Sequence, residues 1–493
     1  MRQFQMKFML RRSRERNQRI PICRDHLKQS KQSKHSKPSS GPKRIRHRCS
    51  GKMYVLNPDG TLRLGNFRDS LWWANYVILP EEMLSERQKK NFRNRFRFPY
   101  SEWKKLVNKM NEHEIFARWK RGNTNCAGQS CNPIEILTLG VLKKLGRECS
   151  FDDLEEITFI SEKTHRTFFK SFIKYGSTVL FDEYVISPET KEDAGNHIQE
   201  FIVAGYPGAV GSTDATHVVI KKCRYQIRQA HLGHKMNKTA RTYNMTVNHR
   251  RQILATTNGH PCTWNDKTLI NFDEFISGMH DGSVLDDLEF ELLERCEGNL
   301  IKKRKYRGGW VLCDNGYLPW SVTMPPSKYS HSIAEIRWSQ WLESMRKDVE
   351  CTFGILKKRF TILDKGIDIK NLEEADQVVL TCCSLHNLLL KIDERDGAWE
   401  DGVAMNNSST NFALNRLNSA NNSDEVTSDD DADEESSDDN QMISDYEYAS
   451  ESVTVVRQMH QSIFKSKLVE HFDILFHQNK IVWPKNVEKQ RKL

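Results

Sequence analysis

Two carboxylates in the second half of the chain stand in residue patterns that suit metal-dependent chemistry. Asp314 comes directly after the short apolar run Trp310–Cys313, and the turn residues Asn315 and Gly316 follow it. Glu350 lies at the edge of an apolar stripe that has a helical period. A strand-end aspartate and a helical glutamate that converge above the edge of a sheet provide the oxygen ligands that Mg²⁺ and Mn²⁺ prefer.

The helix that carries Glu350 places other informative residues beside it. Arg346 is four residues before Glu350, Gly354 four after and Lys357 seven after, so all four share one helix face. A glycine inside a helix costs ~1 kcal/mol relative to alanine, and we expect Gly354 to clear room beside the carboxylate. The alternative is an ordinary surface helix on which Arg346 and Glu350 form a solvated charge pair.

Upstream of these residues, the hydrophobic period changes to two after Gly205, which predicts a sheet. We expect one strand over residues 209–220, with Asp214 inside it and His217 three positions on. Two further strands, over residues 243–247 and 253–257, form a hairpin through the turn at 248–251.

Asp266 then stands where a helix begins, either as a further acidic ligand or as a simple helix cap. The order of elements is strand, strand, strand, helix, strand, helix, and the acidic residues fall at Asp214, Asp314 and Glu350. That order is the layout of an RNase H-like α/β domain, with a mixed sheet and flanking helices.

The segment before this domain is helical. Pro99-Tyr100 opens one helix, and Asn132-Pro133 supplies the cap and first turn of another. A compact pair follows, in which Ser150 caps a helix over Phe151–Thr158 and Ser161 caps a second helix that runs to about Ile173. The exposed face of the second helix carries the basic residues Lys163, Arg166 and Lys170. The pair resembles a helix-turn-helix that binds DNA, although such pairs also serve only as packing.

Charge is concentrated at the two ends of the chain. Residues 1–50 hold sixteen Lys and Arg against Glu15 and Asp25, which indicates a nucleic-acid arm or a nuclear import signal, or else a solvated terminus. Thirteen acidic residues and no Lys or Arg lie between Asp424 and Glu451, which predicts a disordered linker. The expected divisions are a disordered basic arm over 1–65, a helical, helix-turn-helix-like segment over 66–195, the RNase H-like domain over 196–400, the acidic linker over 401–451 and a C-terminal helix over 452–493.

Several classes of protein are disfavoured by composition. No run approaches the ~20 apolar residues of a membrane span, and the first residues do not have the apolar centre of a secretory signal. The twelve cysteines show no repeated pair spacing, so we expect a reduced, intracellular protein.

Five blocks of sequence resemble, in order, those of Harbinger-type DDE transposases. They read GSTDATHVVIK, GHPCTWNDKTL, VLCDNGYLPW, VECTFGILKKRF and CCSLHNLLL, within residues 205–390. Thirty-five residues separate Asp314 from Glu350, which is the spacing that names one class of DDE enzymes. The resemblance is looser over the upstream helical segment, which binds DNA in that family.

The resemblance implies roles for individual residues. Asp214, Asp314 and Glu350 match the catalytic triad, and Asp266 matches a further acidic position near the metal. This chain has Cys262 and Thr263 where that family has Gly and Ser. His217 matches the histidine of the D-x-x-H block, where it either touches the metal or orients a neighbour. Three basic residues beyond Glu350, namely Lys357, Lys358 and Arg359, are expected to bind flanking phosphates or to complement the helix dipole.

The same resemblance implies a nuclear enzyme that cuts and joins DNA phosphodiesters at the terminal inverted repeats of a transposon. Two divalent cations, Mg²⁺ or Mn²⁺, are its implied cofactors. DNA, a Myb-like partner protein and further copies of the chain are its implied partners. The alternatives are a domesticated DNA-binding or regulatory protein without cleavage activity, and a hydrolase that acts on RNA hybrids.

Overall fold

The computed structural model describes residues 53–120, 131–195, 197–233, 237–297, 300–393, 403–404 and 453–483. Residues 1–52 of the expected basic arm lie outside these ranges, as does the acidic stretch from residue 405 to 452. Within these ranges, no helix combines the length and the apolar character that a membrane crossing requires.

The first described element is a hairpin in a stretch that we expected to lack order. Strand β1, Tyr54–Leu56, pairs antiparallel with β2, Leu62–Leu64. Gly60 takes a left-handed conformation in the turn between them, at φ 81°. The prediction of disorder over residues 1–65 is therefore wrong for residues 54–64, because it followed the polar composition and overlooked this turn.

Helices form the next layer and pack around an aromatic core. They are α1 Glu86–Phe96, α2 Tyr100–Glu112, α3 Ile134–Arg147, α4 Phe151–Thr158, α5 Glu162–Gly176, α6 Val179–Tyr184, α7 Lys191–Ala194 and α8 His197–Val203. Short 3₁₀ or π turns lie at Phe67–Asp69, Trp73–Ile78, Glu81–Met83 and Glu114–Trp119. The largest fully buried side chains of this layer are Phe92, Phe96, Phe98, Trp103, Phe116, Phe168, Phe169 and Phe172.

Local capping explains the helix pair α4 and α5. The Ser150 hydroxyl accepts from the Asp153 amide at 2.9 Å, and the Asp153 carboxylate accepts from the Ser150 amide at 2.8 Å. The Ser161 hydroxyl likewise accepts from the Thr164 amide at 3.4 Å. Both predicted helices are confirmed. At α3, by contrast, Pro133 is the cap residue rather than part of the first turn.

The central sheet is mixed, as the sequence predicts. Its strands are β3 Ala209–Val219, β4 Ala240–Val247, β5 Ile253–Thr256, β6 His260–Pro261, β9 Trp310–Leu312 and β10 Thr323–Met324. The order across the sheet is β10-β9-β3-β4-β5, and β6 pairs with β4. Strand β3 is antiparallel to β4 and parallel to β9. The RNase H-like α/β fold is confirmed.

Further helices flank this sheet. They are α9 Tyr225–Arg228, α10 Asp266–Leu269, α11 Glu274–Asp281, α12 Ile333–Arg359, α13 Thr361–Lys365 and α14 Leu372–Ile392, with a 3₁₀ turn at Ile270–Phe272. The apolar face of α12 is buried through Trp338, Trp341 and Met345, in one hydrophobic cluster with Trp310 of β9. The long helix that carries Glu350 is therefore fixed against the strand that leads to Asp314.

A second, three-stranded sheet interrupts the predicted order of elements. It consists of β7 Glu289–Arg295, β8 Ile301–Arg307 and β12 Thr454–Val455, in the order β12-β8-β7. The sequence prediction omitted β7 and β8, because their dense charges hide the alternation that normally marks a strand.

The C-terminal helix, α15 Gln461–His477, packs against the second sheet and α12. A 3₁₀ turn at Val456–Gln458 precedes it, and β13 Val482–Trp483 follows and pairs with β11 Val403–Ala404. Phe464, Leu468 and Phe472 are fully buried in the same cluster as Trp310 and Trp338. The C-terminal helix expected from the sequence is thus part of the domain core.

A buried polar network fastens α14 to the sheet. Asp376 of α14 accepts two hydrogen bonds from Arg241 of β4, at 2.7 Å and 2.6 Å, and one from the Tyr243 hydroxyl at 2.7 Å. Because Arg241 and Asp376 are almost completely buried, removing either charge leaves its partner without compensation in a medium of low polarity.

We therefore expect Asp376→Ala to lower the free energy of unfolding by about 3–5 kcal/mol, as measured by urea denaturation. Asp368→Ala is the matched control, because Asp368 pairs with Lys222 at the surface and its loss should cost less than about 1 kcal/mol. Equal losses in the two variants would show that the buried network does not stabilise the domain.

Candidate active site

Asp214 and Asp314 are brought together by the register of two parallel strands. Ser212 of β3 pairs with Leu312 of β9. Asp214 comes two positions after Ser212, and Asp314 comes two positions after Leu312. The Asp214 carboxylate accepts from the Ala215 amide at 2.8 Å, and the Asp314 carboxylate accepts from the Gly316 amide at 2.7 Å. Backbone donors therefore fix both carboxylates beside the point where β9 ends.

Asp266 joins them from the first turn of α10. The helix is capped by Asn265, whose side chain accepts from the Thr268 amide at 2.9 Å. The alternative that Asp266 is only a cap is therefore wrong. A β-carbon placed on Gly316 would lie 2.6 Å from Oδ2 of Asp266 and 3.0 Å from Oδ1 of Asp314. The two carboxylates thus approach the same point, and only glycine leaves space for both.

The electrostatics of Asp214 reflect this crowding. Burial raises the pKa of Asp214 to about 6, and the neighbouring carboxylates of Asp314 and Asp266 also act to raise it. The Ala215 amide and Arg346 oppose the rise. Ionising Asp214 beside two other carboxylates is costly, and a bound cation would lower that cost.

Glu350 is linked to this group through Arg346 and does not contact it directly. Arg346 donates to Glu350 at 2.8 Å and to Asp214 at 3.4 Å, and 13% of its side chain is exposed. The predicted charge pair of Arg346 and Glu350 therefore exists, but Arg346 is largely buried and also donates to Asp214 of β3. In the described part of the chain, no three His, Cys, Asp or Glu side chains already form a metal-binding group.

One expectation about α12 is wrong. A β-carbon on Gly354 would meet no atom within 4 Å, so this glycine is not needed to clear room for Glu350 within the chain. Lys357 is half-buried, and its ammonium donates to the Thr216 hydroxyl of β3 at 3.0 Å, so its role as a phosphate ligand stays a prediction. Burial lowers the pKa of Lys357.

The other predicted DNA-binding residues divide into engaged and exposed side chains. Arg359 is half-buried and donates to the buried His386 of α14 at 3.2 Å, whereas Lys358 is exposed; phosphate binding by either residue stays a prediction. On α5, Lys163, Arg166 and Lys170 are all exposed as predicted. Arg166 pairs with Glu162, and Lys170 pairs with Glu374 at 2.7 Å.

His217 is engaged beside the site. Its Nδ1 atom lies 2.8 Å from the Thr242 hydroxyl and 3.5 Å from the Cys262 sulfur. Cys262, which stands where the Harbinger-type sequences have Gly, therefore contacts His217, the histidine of the D-x-x-H block. This arrangement favours the role of orienting a neighbour over that of a metal ligand.

Sequence reasoning missed a buried residue that ties the acidic segments together. Asn244 of β4 accepts from the Tyr317 hydroxyl at 2.6 Å, and donates to Asp273 at 2.7 Å and to the Thr213 hydroxyl at 3.1 Å. Tyr317 follows Asp314 by three residues, Thr213 precedes Asp214, and Asp273 follows Asp266 by seven. One amide therefore links all three segments, and an asparagine in the middle of a fully buried strand was the available signal.

Comparisons with known proteins agree with this geometry. Residues 213–387 match the family described as DDE superfamily endonuclease, and the matched range includes Asp214, Asp266, Asp314 and Glu350. The resemblance to Harbinger-type transposases is confirmed.

Among curated proteins, the chain is similar to "Putative nuclease HARBI1" from Xenopus laevis, with 24% identity over 218 residues, which cover 43% of this chain and 55% of that protein. The human protein of the same name is 24% identical over 197 residues, or 38% of this chain and 48% of that protein. "Protein ALP1-like" from Arabidopsis thaliana is 21% identical over 195 residues, or 39% and 46%. The chain spans about half the length of these relatives, and no solved structure matches it significantly.

The raised pKa of Asp214 predicts a pH-dependent gain in stability for Asp214→Asn. The pKa of Asp214 in the folded chain, about 6, exceeds the ordinary value of 3.8. Between these two pH values the folded chain keeps a proton that the unfolded chain has lost, so stability falls as pH rises up to about 6. At pH 8 we expect the amide to raise the free energy of unfolding by about 1–2 kcal/mol, and near pH 4 by almost nothing. Urea denaturation at the two pH values measures this, with the exposed Asp368→Asn as control. A loss of stability at pH 8 would contradict the electrostatic account.

Proposed function

We propose that this chain, whose residues 213–387 match the DDE superfamily endonuclease family, is a metal-dependent DNA nuclease that cleaves and joins phosphodiesters at transposon ends. The observation that carries the proposal is the approach of Asp266 and Asp314 to one point beside Gly316, with Asp214 near enough for both carboxylates to act on its pKa. Backbone amides hold Asp214 and Asp314, and α10 carries Asp266; a hard cation would draw these oxygen donors together.

The donor set fits Mg²⁺ or Mn²⁺. Every group is a carboxylate oxygen, and the raised pKa of Asp214 indicates that a positive charge is favourable there. Asp214, Asp266 and Asp314 would hold the cation, and Glu350 would complete the site once Arg346 releases it. Bound divalent cations supply a polarised phosphate and an activated water or 3′-hydroxyl.

The chain's own groups then orient the carboxylates and neutralise charge at the site. Ionised Asp214, favoured above pH 6, is the form that binds a cation. The amides of Ala215 and Gly316 keep the two strand carboxylates pointed at the same place. Arg346, once freed from Glu350, is positioned to neutralise a phosphate oxygen of the DNA.

A second function is favoured by one specific observation. Arg346 already neutralises Asp214 and Glu350 together, as a fixed structural ion pair would. A domesticated DNA-binding or regulatory protein would retain such a pair and would not cleave DNA. The two functions differ in whether Arg346 gives up its carboxylates in the presence of metal and DNA.

The finer parts of the proposal rest on the family resemblance and on charge. They are the terminal inverted repeats as substrate, a Myb-like partner, self-association and a nuclear location. The sixteen Lys and Arg of residues 1–50 support nuclear import and DNA contact. Each of these finer parts presupposes that the carboxylate site acts on DNA.

Cleavage of a supercoiled plasmid in Mn²⁺ tests the proposed activity. We expect Asp314→Asn and Glu350→Gln to reduce cleavage at least about a hundredfold, the cost typical of removing a group that acts in the transition state. Glu343→Gln is the matched control, because this exposed glutamate lies two turns earlier on the same helix, and it should keep full activity.

Cleavage by the wild-type chain that persists in a chelator, or that survives in both carboxylate variants, would exclude a DDE mechanism. Metal-independent DNA binding without any cleavage would favour the regulatory alternative.

The Asn244 network predicts a specific effect of Tyr317→Phe. This change removes the hydroxyl that donates to Asn244 at 2.6 Å and frees the segment that holds Asp314. We expect the Mn²⁺ concentration for half-maximal cleavage to rise about tenfold. Tyr243→Phe is the matched control, because that buried tyrosine donates to Asp376, outside the carboxylate group.

Both variants should lose similar stability, about 1 kcal/mol for one hydrogen bond, so only the metal dependence separates positioning from general destabilisation. An equal rise in the Mn²⁺ requirement of both variants would show that the network merely stabilises the fold.

A further inference from the structure

The chain between the first two aspartates of the site is strongly and exclusively basic. From residue 215 to residue 265 the sequence contains nine Lys and Arg and no Asp or Glu. This segment of fifty-one residues leads from Asp214 to Asp266, and a positive field can come only from those of its cations that the fold does not neutralise.

Five of the nine have acidic partners on other elements. The pairs are Lys221–Glu148, Lys222–Asp368, Arg241–Asp376, Arg250–Glu200 and Arg251–Asp348. Lys235 lies outside the described residues. The remaining three, Arg224, Arg228 and Lys238, are exposed and have no ion pair within the part of the chain that the structure describes.

These three cations belong to the connection between β3 and β4, close to the path that leads to Asp266. Arg224 immediately precedes α9, and Arg228 is its last residue. The Thr263 hydroxyl donates to the Ala230 carbonyl of this connection at 3.0 Å. Because Thr263 comes three residues before Asp266, the connection contacts the segment that leads to this carboxylate.

An aromatic side chain stands among the cations. Tyr225 is 89% exposed, although a tyrosine normally buries much of its ring. Cations that alternate with an exposed aromatic ring are the composition of surfaces that bind single-stranded or unpaired nucleic acid, where the ring stacks on a base. The surface thus offers two kinds of contact to the same ligand.

We propose that Arg224, Tyr225, Arg228 and Lys238, here called the α9 surface, bind the DNA strand that enters the carboxylate site. The three cations contact backbone phosphates, and Tyr225 stacks on a base that is unpaired near the cleavage point. This inference rests on the proposed function, since it gives that site its path for the substrate. It adds contacts outside α12, where Lys357 and Arg359 already form hydrogen bonds within the fold.

The first test measures the affinity of the full-length chain for a DNA duplex with unpaired ends, by fluorescence anisotropy at several salt concentrations. A chelator is present, so that neither metal binding nor cleavage contributes. Removing one cation that binds a phosphate lowers the slope of log affinity against log salt by about 0.9. We expect Arg224→Ala/Arg228→Ala to reduce the slope by about 2 and to weaken binding more than about tenfold.

The matched control removes the same charge from another place. Lys302 and Lys305 of β8 also have no ion pair in the described ranges, and β8 belongs to the second sheet rather than to the sheet that carries Asp214. Lys302→Ala/Lys305→Ala should change the slope by much less. Equal effects of the two double variants would overturn the α9 surface, since binding would then follow net charge alone.

A second arm separates stacking from charge. Tyr225→Ala should weaken binding to the duplex with unpaired ends about tenfold, Tyr225→Phe should retain it, and a blunt duplex should show little difference. Tyr54→Ala, at another exposed tyrosine, is the control. No effect of Tyr225→Ala on either DNA would overturn the stacking contact. Wild-type chain that binds no DNA would instead refute the proposed function.

Discussion

The central constraint on this structure is the electrostatic cost of placing three carboxylates close together beside the end of strand β9. Asp214, Asp266 and Asp314 approach one another closely enough that burial and mutual repulsion raise the pKa of Asp214 to about 6. Two backbone amides and the guanidinium of Arg346 offset part of that cost. A fold that maintains such an arrangement does so at a cost in stability, as is usual where function and stability compete.

The scaffold meets this cost by fixing the carboxylate segments to one another. Parallel pairing of β3 with β9 sets two of them side by side, and Asn244 joins both to the segment that follows Asp266. Around this centre, aromatic side chains from α12 and from the C-terminal helix α15 fill one continuous core. The distant end of the chain therefore contributes to the rigidity of a site formed by its middle.

Periodicity and capping signals were sufficient to predict much of this fold. The helices capped by Ser150 and Ser161, the hairpin of β4 and β5, and the strand before Asp314 all follow from local patterns. The boundaries at caps and turns were predictable because these signals act over three or four residues, whereas β4 begins three residues earlier and α5 ends three residues later than predicted.

What local patterns could not supply is the partner of each polar group. Lys357 and Arg359 look like exposed cations in the sequence, yet the structure pairs them with Thr216 and His386. The charged strands β7 and β8 were missed, since pairing across the hairpin rather than alternation defines them. Asn244 gave no sign of its three partners, because those partners come from segments far apart in the chain.

Calorimetric titration of Mn²⁺ into the full-length chain at pH 7.5, beside Asp314→Asn, tests the central claim most directly, which is that the carboxylates together hold a divalent cation. The account predicts saturable binding by the wild-type chain that weakens below pH 6 as Asp214 takes up a proton, and no saturable binding by the variant. Binding of equal strength in both proteins, or binding that does not depend on pH in this range, would contradict it.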